Sequence, residues 1–526
     1  MPARSIEVIR PGGQKRKLAI GDESSGRLLL DVLESNGFPL NTRCGGRGLC
    51  KGCQVELHGE DGQLKVRSCQ RRITDLPPST CRITIPENSW RDHSLHGVSA
   101  FEIHKDSTLA TGKEGYGIAL DIGTTTVAGA LWEMKEGHCV ADESRANTQA
   151  RFGDNVLSRI SYALENANGI LELQTVLLKE CLKPLVSSLC KTAGICHDSI
   201  NTVSISGNPV MLHTVVGESL KGFSAYPFQP EFLKRRTVAG SELGIGLDCD
   251  ISLLPGLGPF VGADIVAGAL AAGLLQAEAP VLLVDFGTNG EILLKHNSGY
   301  LATATAAGPA FEGGRLSCGA VAREGVISSL ERVDEKWEWL MSGNEKLSPK
   351  GISGAAYVDF MATGKDVGLL DLFGRINRNH PDAIERLDGE DTDWCVQLGS
   401  DLYISESDIA ELLQAKAAIQ GGVATLLELA GVEPQELGTV LVAGGFGYHL
   451  DPKNAVNIGL LPDVPMDRIR IVGNASLGGA SLLLNPQEAP ALNELMNNCE
   501  VIELNQVDSF EDHFTDSLML EKADLD

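Results

Sequence analysis

The sequence predicts a multidomain α/β protein, a small N-terminal domain followed by two duplicated α/β halves, and three runs of residues predict it. The first, VLLVDFGTNGE from Val281 to Glu291, sets four apolar residues before an acid, then Gly287 and Gly290 around Thr288 and Asn289. Such an apolar run marks a buried strand. The second stands 164 residues earlier in GIALDIGTTTVAGAL, where Asp121, Gly123, Thr124, Thr125 and Thr126 keep the same order. Two copies read as an internal repeat. The third, TVLVAGGFG, ends a hydrophobic strand in Gly444, Gly445, Phe446 and Gly447.

The chemistry of the paired runs follows from their residue types. Glycines let a backbone turn tightly and aim N–H groups at an anion. A strand-end acid such as Asp285 can hold a hydrated Mg²⁺ beside that anion. One such hairpin carries little weight, and its repetition gives the pattern its force.

Composition bounds the class. A chain of 526 residues holds two to four domains and buries large cores. Its 43% apolar and 22% charged residues, with 59 glycines, fit a soluble α/β protein. No run reaches ~18 apolar residues and MPARSIEVIR lacks a signal-peptide core, so a cytoplasmic location is expected. Thirteen cysteines, an odd number, argue against a disulfide framework. The net charge of −26 divides into +4 over residues 1–96 and −30 over 97–526. So acidic a body speaks against nucleic acid and against anionic membrane as partners.

In chain order, residues 4–20 alternate as two strands around Pro11-Gly12-Gly13, and Gly26 to Asn36 form an amphipathic helix with Leu28, Leu29, Val32 and Leu33 on one side. TRCGGRGLCKGC then places Cys44, Cys50 and Cys53 in a glycine-rich loop, with Cys69 16 positions further on. Four thiolates so spaced can hold Zn²⁺ or an iron–sulfur cluster. With only one C-x2-C pair, the loop favours [2Fe–2S] over zinc. Cys81, in the alternating CRITIP, reads as a strand residue, and the remaining eight cysteines read as buried thiols. Residues 1–90 thus form one domain and the polar stretch 91–114 a flexible linker.

The first half is expected over 115–277. In QARFGDNVLSRISYALEN, Arg151, Asp154, Asn155 and Arg159 open a helix, either as a capped, solvated end or as functional chemistry. His213, on an apolar run, reads as structural. Asp264 reads first as satisfying N–H groups at a helix start, with an acid facing a terminal phosphate as the alternative. The second half is expected over 278–526. ATAAGPAFEGGRLSCGA, with Gly308, supplies glycine turns to the cleft, and residues 331–400 read as an acidic, irregular insertion. Ser405 and Asp408 cap a long helix, on which Lys416 either reaches nucleotide or stands on a solvated face. The tail from Asp508 reads as peripheral.

The twin loops and the late glycine strand resemble the actin, sugar-kinase and heat-shock chaperone ATPase superfamily. That resemblance implies two ribonuclease-H-like halves closing on Mg²⁺–ATP. Asp121 and Asp285 would be the catalytic acids at the metal. Gly123, Thr124 to Thr126, Gly287, Thr288, Asn289, Gly290 and Gly308 would surround the phosphates, with Gly444, Gly445 and Phe446 at the adenosine. Residues 1–90 resemble a β-grasp ferredoxin with adrenodoxin-like spacing, which implies a [2Fe–2S] cluster on Cys44, Cys50, Cys53 and Cys69. Together with QARFGDN, GPAFEGG, AKAAI and AGGFGYHLDPKNAVNIGLLP, the arrangement resembles the reductive activators of corrinoid proteins. It implies ATP-dependent one-electron reduction of cob(II)alamin to cob(I)alamin in the corrinoid protein of a methyltransferase system, fed by a low-potential electron donor. A homodimer is left open. The competing readings are a small-molecule kinase with a fused ferredoxin, an ATP-dependent donor to another low-potential enzyme, and an ATP-switched redox sensor.

Overall fold

The computed structural model describes residues 4–10, 15–20, 26–36, 38, 40, 53–59, 62–86, 89, 101, 103, 109–322, 325–341, 348–388, 391–399, 401–447 and 450–522. Two compact units account for them, one of residues 1–94 with 148–169, the other of 95–147 with 170–526.

In the first unit, β1 (Arg4–Ile9), β2 (Lys15–Ile20), β3 (Gln54–Gly59), β4 (Gly62–Arg67) and β5 (Arg82–Thr84) form one sheet in the order β2-β1-β5-β3-β4. β1 runs parallel to β5, and the flanking pairs are antiparallel. Period-2 alternation turns Ile6, Val8, Leu57 and Ile83 inward. The helix Leu29–Ser35 covers them with Leu29, Val32 and Leu33, all at most 1% exposed. It starts later than the expected Gly26 because Leu28 forms a β-bridge with Arg72. The expected turn at Pro11 to Gly13 lies outside the described residues. The helix Val156–Glu165 also belongs to this unit. Asn155 caps it, accepting from Ser158 N at 2.9 Å, and the buried Arg159 donates to Gly153 O at 3.1 Å. The helix end is capped, as one expectation had it, but it is not solvated, since Arg159 is fully buried.

The second unit contains the repeat. β6 (Tyr116–Ile122), β7 (Thr126–Glu133), β8 (His138–Ala146), β9 (Ile200–Gly207), β10 (Arg236–Ala239) and β11 (Asp250–Leu253) form a sheet ordered β10-β11-β9-β6-β7-β8. β12 (Val281–Phe286), β13 (Gly290–His296) and β14 (Gly299–Thr305) begin its counterpart. Three later strands complete that sheet. In each half an antiparallel meander of three strands is extended from its first strand by two parallel ones: β9 and β11, or β21 (Thr439–Ala443) and β22 (Ile469–Gly473). An extra strand lies at an edge of each sheet, β10 in the first and β23 (Cys499–Val501) in the second. The duplication expected from the twin runs is therefore a duplication of topology.

The helix after the last parallel strand of each half, Ala263–Ala271 and Ala475–Leu482, packs against its counterpart. Small residues permit this. A Cβ on Gly479 would run into the Ala267 carbonyl oxygen.

Several expectations are corrected. The described residues of 331–400 are largely regular: β15 (Val326–Val333), β16 (Lys336–Met341) and β17 (Gly351–Ile352) form one sheet. β18 (Ala383–Asp388), β19 (Asp391–Gln397) and β20 (Tyr403–Ser405) form another, with the buried helix Gly354–Asp366 between the two in sequence. The tail is docked, with Leu520 fully buried and the helix Ser509–Asp516 packed on the long helix Glu406–Ala430. Ser405 and Asp408 cap that long helix reciprocally, as expected. Of the expected linker, Thr111 N donates to Met134 O at 2.8 Å and the Phe101 ring lies 6.2 Å from Trp132, so its described C-terminal part is anchored on the second unit. No helix among the described residues is long and apolar enough to cross a membrane.

Candidate functional site

The two acid-glycine-threonine turns, at the ends of β6 and β12, face one cavity. Asp121, Gly123, Thr124 to Thr126, Asp285, Gly287, Thr288, Asn289, Gly444, Gly445 and Phe446 all line it. Local geometry fixes each turn. Gly123 N donates to Thr126 O at 2.9 Å, and Gly287 N to Asn289 O at 3.0 Å. Asn208, which caps the helix Pro209–Val216, donates to Thr124 Oγ1 at 3.0 Å. The turns also meet directly, Thr125 Oγ1 lying 2.9 Å from Thr288 Oγ1. Gly444 is required by its surroundings. Its φ is +93°, and a Cβ there would run into Phe286 O and reach Asp285 Oδ1 at 2.8 Å. Gly290 and Gly308 are not among the lining residues. A Cβ on Gly290 would meet Ile419 and Thr305 at 2.8 Å, so packing explains that glycine, and Gly308 is a left-handed turn residue at φ +76°.

The electrostatics are lopsided. Asp121, Asp264, Asp285, Glu291 and Glu312 line the cavity, and no Lys, Arg or His stands among its described lining residues. Burial raises the pKa of all five carboxyls. Asp121 is relieved by neutral donors, Ser476 Oγ at 2.7 Å and Asn474 Nδ2 at 3.0 Å. Asp285 has no such donor among the described residues; it faces Asp264, Asp121 and Glu312, and its carboxyl is held well above the usual range. Asp264 does two things at once, accepting from Ile265 N at 2.9 Å at its helix start and lining the cavity, where burial and then Asp121 push it to about 7. A polyphosphate enters such a cavity only with a divalent cation to offset the carboxylates. The residues present fit that pair: unsatisfied carboxylate oxygens for the metal, turn N–H groups and hydroxyls for the anion.

In the first unit, Cys53 and Cys69 are both buried, their Sγ atoms in hydrogen-bond contact at 3.2 Å. That contact draws the Cys53 thiol down to about 6. Ser68 ties the pair together, its N and Oγ both donating to Cys53 O. Cys44 and Cys50 lie outside the described residues, and no group of three metal-ligating side chains occurs among the described ones. Cys81 is exposed immediately before β5, and its N donates to His58 O at 2.9 Å, continuing the pairing by one residue beyond the strand itself.

Other candidates resolve as structural. His213 is buried, its Nδ1 2.7 Å from Pro209 O and its Nε2 accepting from Phe232 N at 3.3 Å. Lys416 fits neither expectation. It is 1% exposed, donates to Met519 O at 2.7 Å in the docked tail, and burial lowers its amine to about 7.

Comparison with known proteins places this architecture. The family model described as the RACo middle region matches residues 116–277, and that of the C-terminal domain of RACo, the ASKHA domain, matches 279–526. The chain is 29% identical to the corrinoid activation enzyme RamQ of Eubacterium limosum, over 92% of this chain and 94% of that one. It is 22% identical, over 70% of each, to a [Co(II) methylated amine-specific corrinoid protein] reductase of Methanosarcina barkeri. A solved reductive activator for corrinoid, iron–sulfur protein superposes with a TM-score of 0.72 at 26% identity, covering 99% of both chains. With both family models matched in order across the duplicated halves, the chain belongs to the RACo family.

Proposed function

We propose that this protein is an ATP-dependent reductive activator that passes one electron to the Co(II) centre of a corrinoid protein. The observation that carries the reading is the buried Cys53–Cys69 pair standing in the same chain as the two-loop cleft. Family membership and the named relatives supply the partner class.

In this reading the first unit is a ferredoxin-like β-grasp, a reading supported by its central parallel pair between antiparallel hairpins. Cys53 and Cys69, with Cys44 and Cys50, hold a [2Fe–2S] cluster, which when bound supplies a one-electron carrier. Burial of the sulfurs excludes water, and Gln70 Nε2, 3.7 Å from Cys69 Sγ, offers a donor to thiolate charge. In the second unit Asp285 and Asp121 stand at Mg²⁺, the turns of Gly123 to Thr126 and Gly287 to Asn289 at the phosphates, and Gly444 to Phe446 at the adenosine. Positioning and charge neutralisation suffice there, and no protein nucleophile is needed.

The energetics explain why ATP is needed. Plant-type [2Fe–2S] centres lie near ~−400 mV, and the Co(I) state requires a lower potential still. Each ~100 mV of that gap costs ~2.3 kcal/mol per electron. A protein that binds the reduced partner better when ATP is bound shifts the equilibrium by its differential affinity. The test is single-turnover reduction of a corrinoid protein by a chemical reductant. Co(II) absorbance should give way to Co(I) with ATP and remain without it. Equal reduction in both mixtures would overturn the reading.

A further inference from the structure

One carboxylate in the cavity is held by hydroxyls of both halves. Glu312 Oε2 accepts from Thr288 Oγ1 at 2.8 Å and from Thr125 Oγ1 at 2.9 Å, one hydroxyl from each copy of the repeat. The two hydroxyls are themselves 2.9 Å apart, so three oxygens form a closed triangle at the seam between the halves. We propose that Glu312 is the residue by which the protein tells ATP from ADP: its carboxylate competes with the terminal phosphate for these two hydroxyls. The proposal rests on the ATP reading above.

The donor count makes the competition obligatory. A threonine hydroxyl has one proton. With both hydroxyls donating to Glu312, the two protons of Thr125 and Thr288 are spent, and the contact between the two oxygens carries none. A phosphoryl oxygen that takes both protons must release Glu312. Like charge adds to the exclusion when both groups are ionised at this spacing. Only a group at the seam touches hydroxyls of both halves. In the ATP reading, with adenosine at Gly444 to Phe446 and the phosphates running towards the seam, that group would be the terminal phosphate, which ADP lacks.

The surrounding chain allows the carboxylate to leave without dragging the backbone along. Phe311, the preceding residue, is 2% exposed and packs 4.9 Å from Phe446 and 5.9 Å from Phe286. A Cβ on Gly354 would run into the Phe311 carbonyl oxygen, so the backbone lies hard against the helix Gly354–Asp366. Gly313 follows at φ +76°. The three rotatable bonds of the glutamate side chain are the free element.

The test is calorimetric affinity for MgATP and for MgADP in the full-length protein, in Glu312→Ala and Glu312→Gln, and in Asp264→Asn as a control that removes cavity charge without touching the hydroxyls. Removing the competitor should tighten MgATP about tenfold, the scale of a hydrogen bond to a charged group. MgADP should change little. Glu312→Gln keeps an acceptor and should fall between wild type and Glu312→Ala. Asp264→Asn should shift both nucleotides alike. An equal gain for both nucleotides in Glu312→Ala would reduce Glu312 to one more negative charge. Weaker MgATP binding would make it a ligand of the complex, and unchanged binding with lost hydrolysis a group at the attacking water. Each of these overturns the proposal. If no form, wild type included, binds MgATP, the ATP reading fails and the proposal falls with it.

Discussion

Asp121 and Asp285 end equivalent strands of the repeat, and the helices that face them begin at equivalent places. The helix at Ala475 brings Asn474 and Ser476 to Asp121, two neutral donors at 3.0 and 2.7 Å. The helix at Ala263 places Gly262 and Asp264 in the corresponding first turn, so Asp285 meets another carboxyl where Asp121 meets a hydroxyl. Duplication has kept the backbone and inverted the chemistry. The first acid is held by the protein itself, and the second is left at a cost that a cation can remove. On the proposed ATP reading this asymmetry would put the metal mainly at Asp285, although the two loops read alike in sequence.

The largest effect should come from breaking the asymmetry at its centre. Asp285→Ala should lower ATP hydrolysis about a hundredfold or more, the scale of losing a principal electrostatic group. Asp121→Asn should cost about tenfold, because its donors belong to the protein rather than to the metal. The visible spectrum of the first unit should be unchanged in both. Equal losses, measured by phosphate release, would mean that the halves share the metal evenly. The sulfur assignment has its own check: Cys69→Ser should lose bound iron and visible absorption while Cys81→Ser keeps both.

A sharper test makes the halves alike. Asp264→Ser gives Asp285 the hydroxyl that Asp121 has in Ser476. The variant should melt at a higher temperature without metal and bind Mg²⁺ about tenfold more weakly, since the strain a cation relieves is smaller. Tighter Mg²⁺ binding, read by titration calorimetry, would make Asp264 a competitor of the metal rather than a source of its affinity. Gly444→Ala should have a smaller effect on stability, about 1–2 kcal/mol by denaturant titration, for a left-handed backbone and a Cβ against Asp285. An unaltered midpoint would show that the turn accommodates a side chain.

What the sequence disclosed and what it hid follow from range. The twin loops, the glycine strand at Gly444 and the Ser405–Asp408 cap are local patterns, each readable within about ten residues. Asn474, Ser476 and Glu312 act on groups 353, 355 and 187 positions away, and only the fold brings them there. Their runs, GNASLGGAS and GPAFEGG, stand out by their glycines, but nothing in them says which polar residue faces the cleft. The strands of residues 331–400 were hidden because surface acids broke up the apolar signal while the pairing, as in β15 and β16, came from alternation. Lys416 misled for a related reason. Helical periodicity gives its face of the helix, but the tail that covers that face lies 103 residues further on.

The smallest effect, and the most direct reading of the asymmetry, is the pH dependence of stability. Asp264 titrates at about 7 in the folded protein against a reference of 3.8, and Asp285 is raised well above the same reference. Between the unfolded and folded values the native state binds more protons than the unfolded chain. Stability therefore falls as pH rises through that window, and the loss is complete only above the folded value. Between pH 6 and pH 8, without divalent cation, the melting temperature of wild type should drop. Mg²⁺ should flatten the slope, because a bound cation supplies the charge that the proton supplied. Asp264→Asn should flatten it in part without Mg²⁺, while Asp121→Asn should leave most of it, since Asn474 and Ser476 already moderate that acid. A slope that disappears in Asp121→Asn would place the costly acid at Asp121 and reverse the comparison, whereas one that survives intact in Asp264→Asn would leave the whole cost at Asp285.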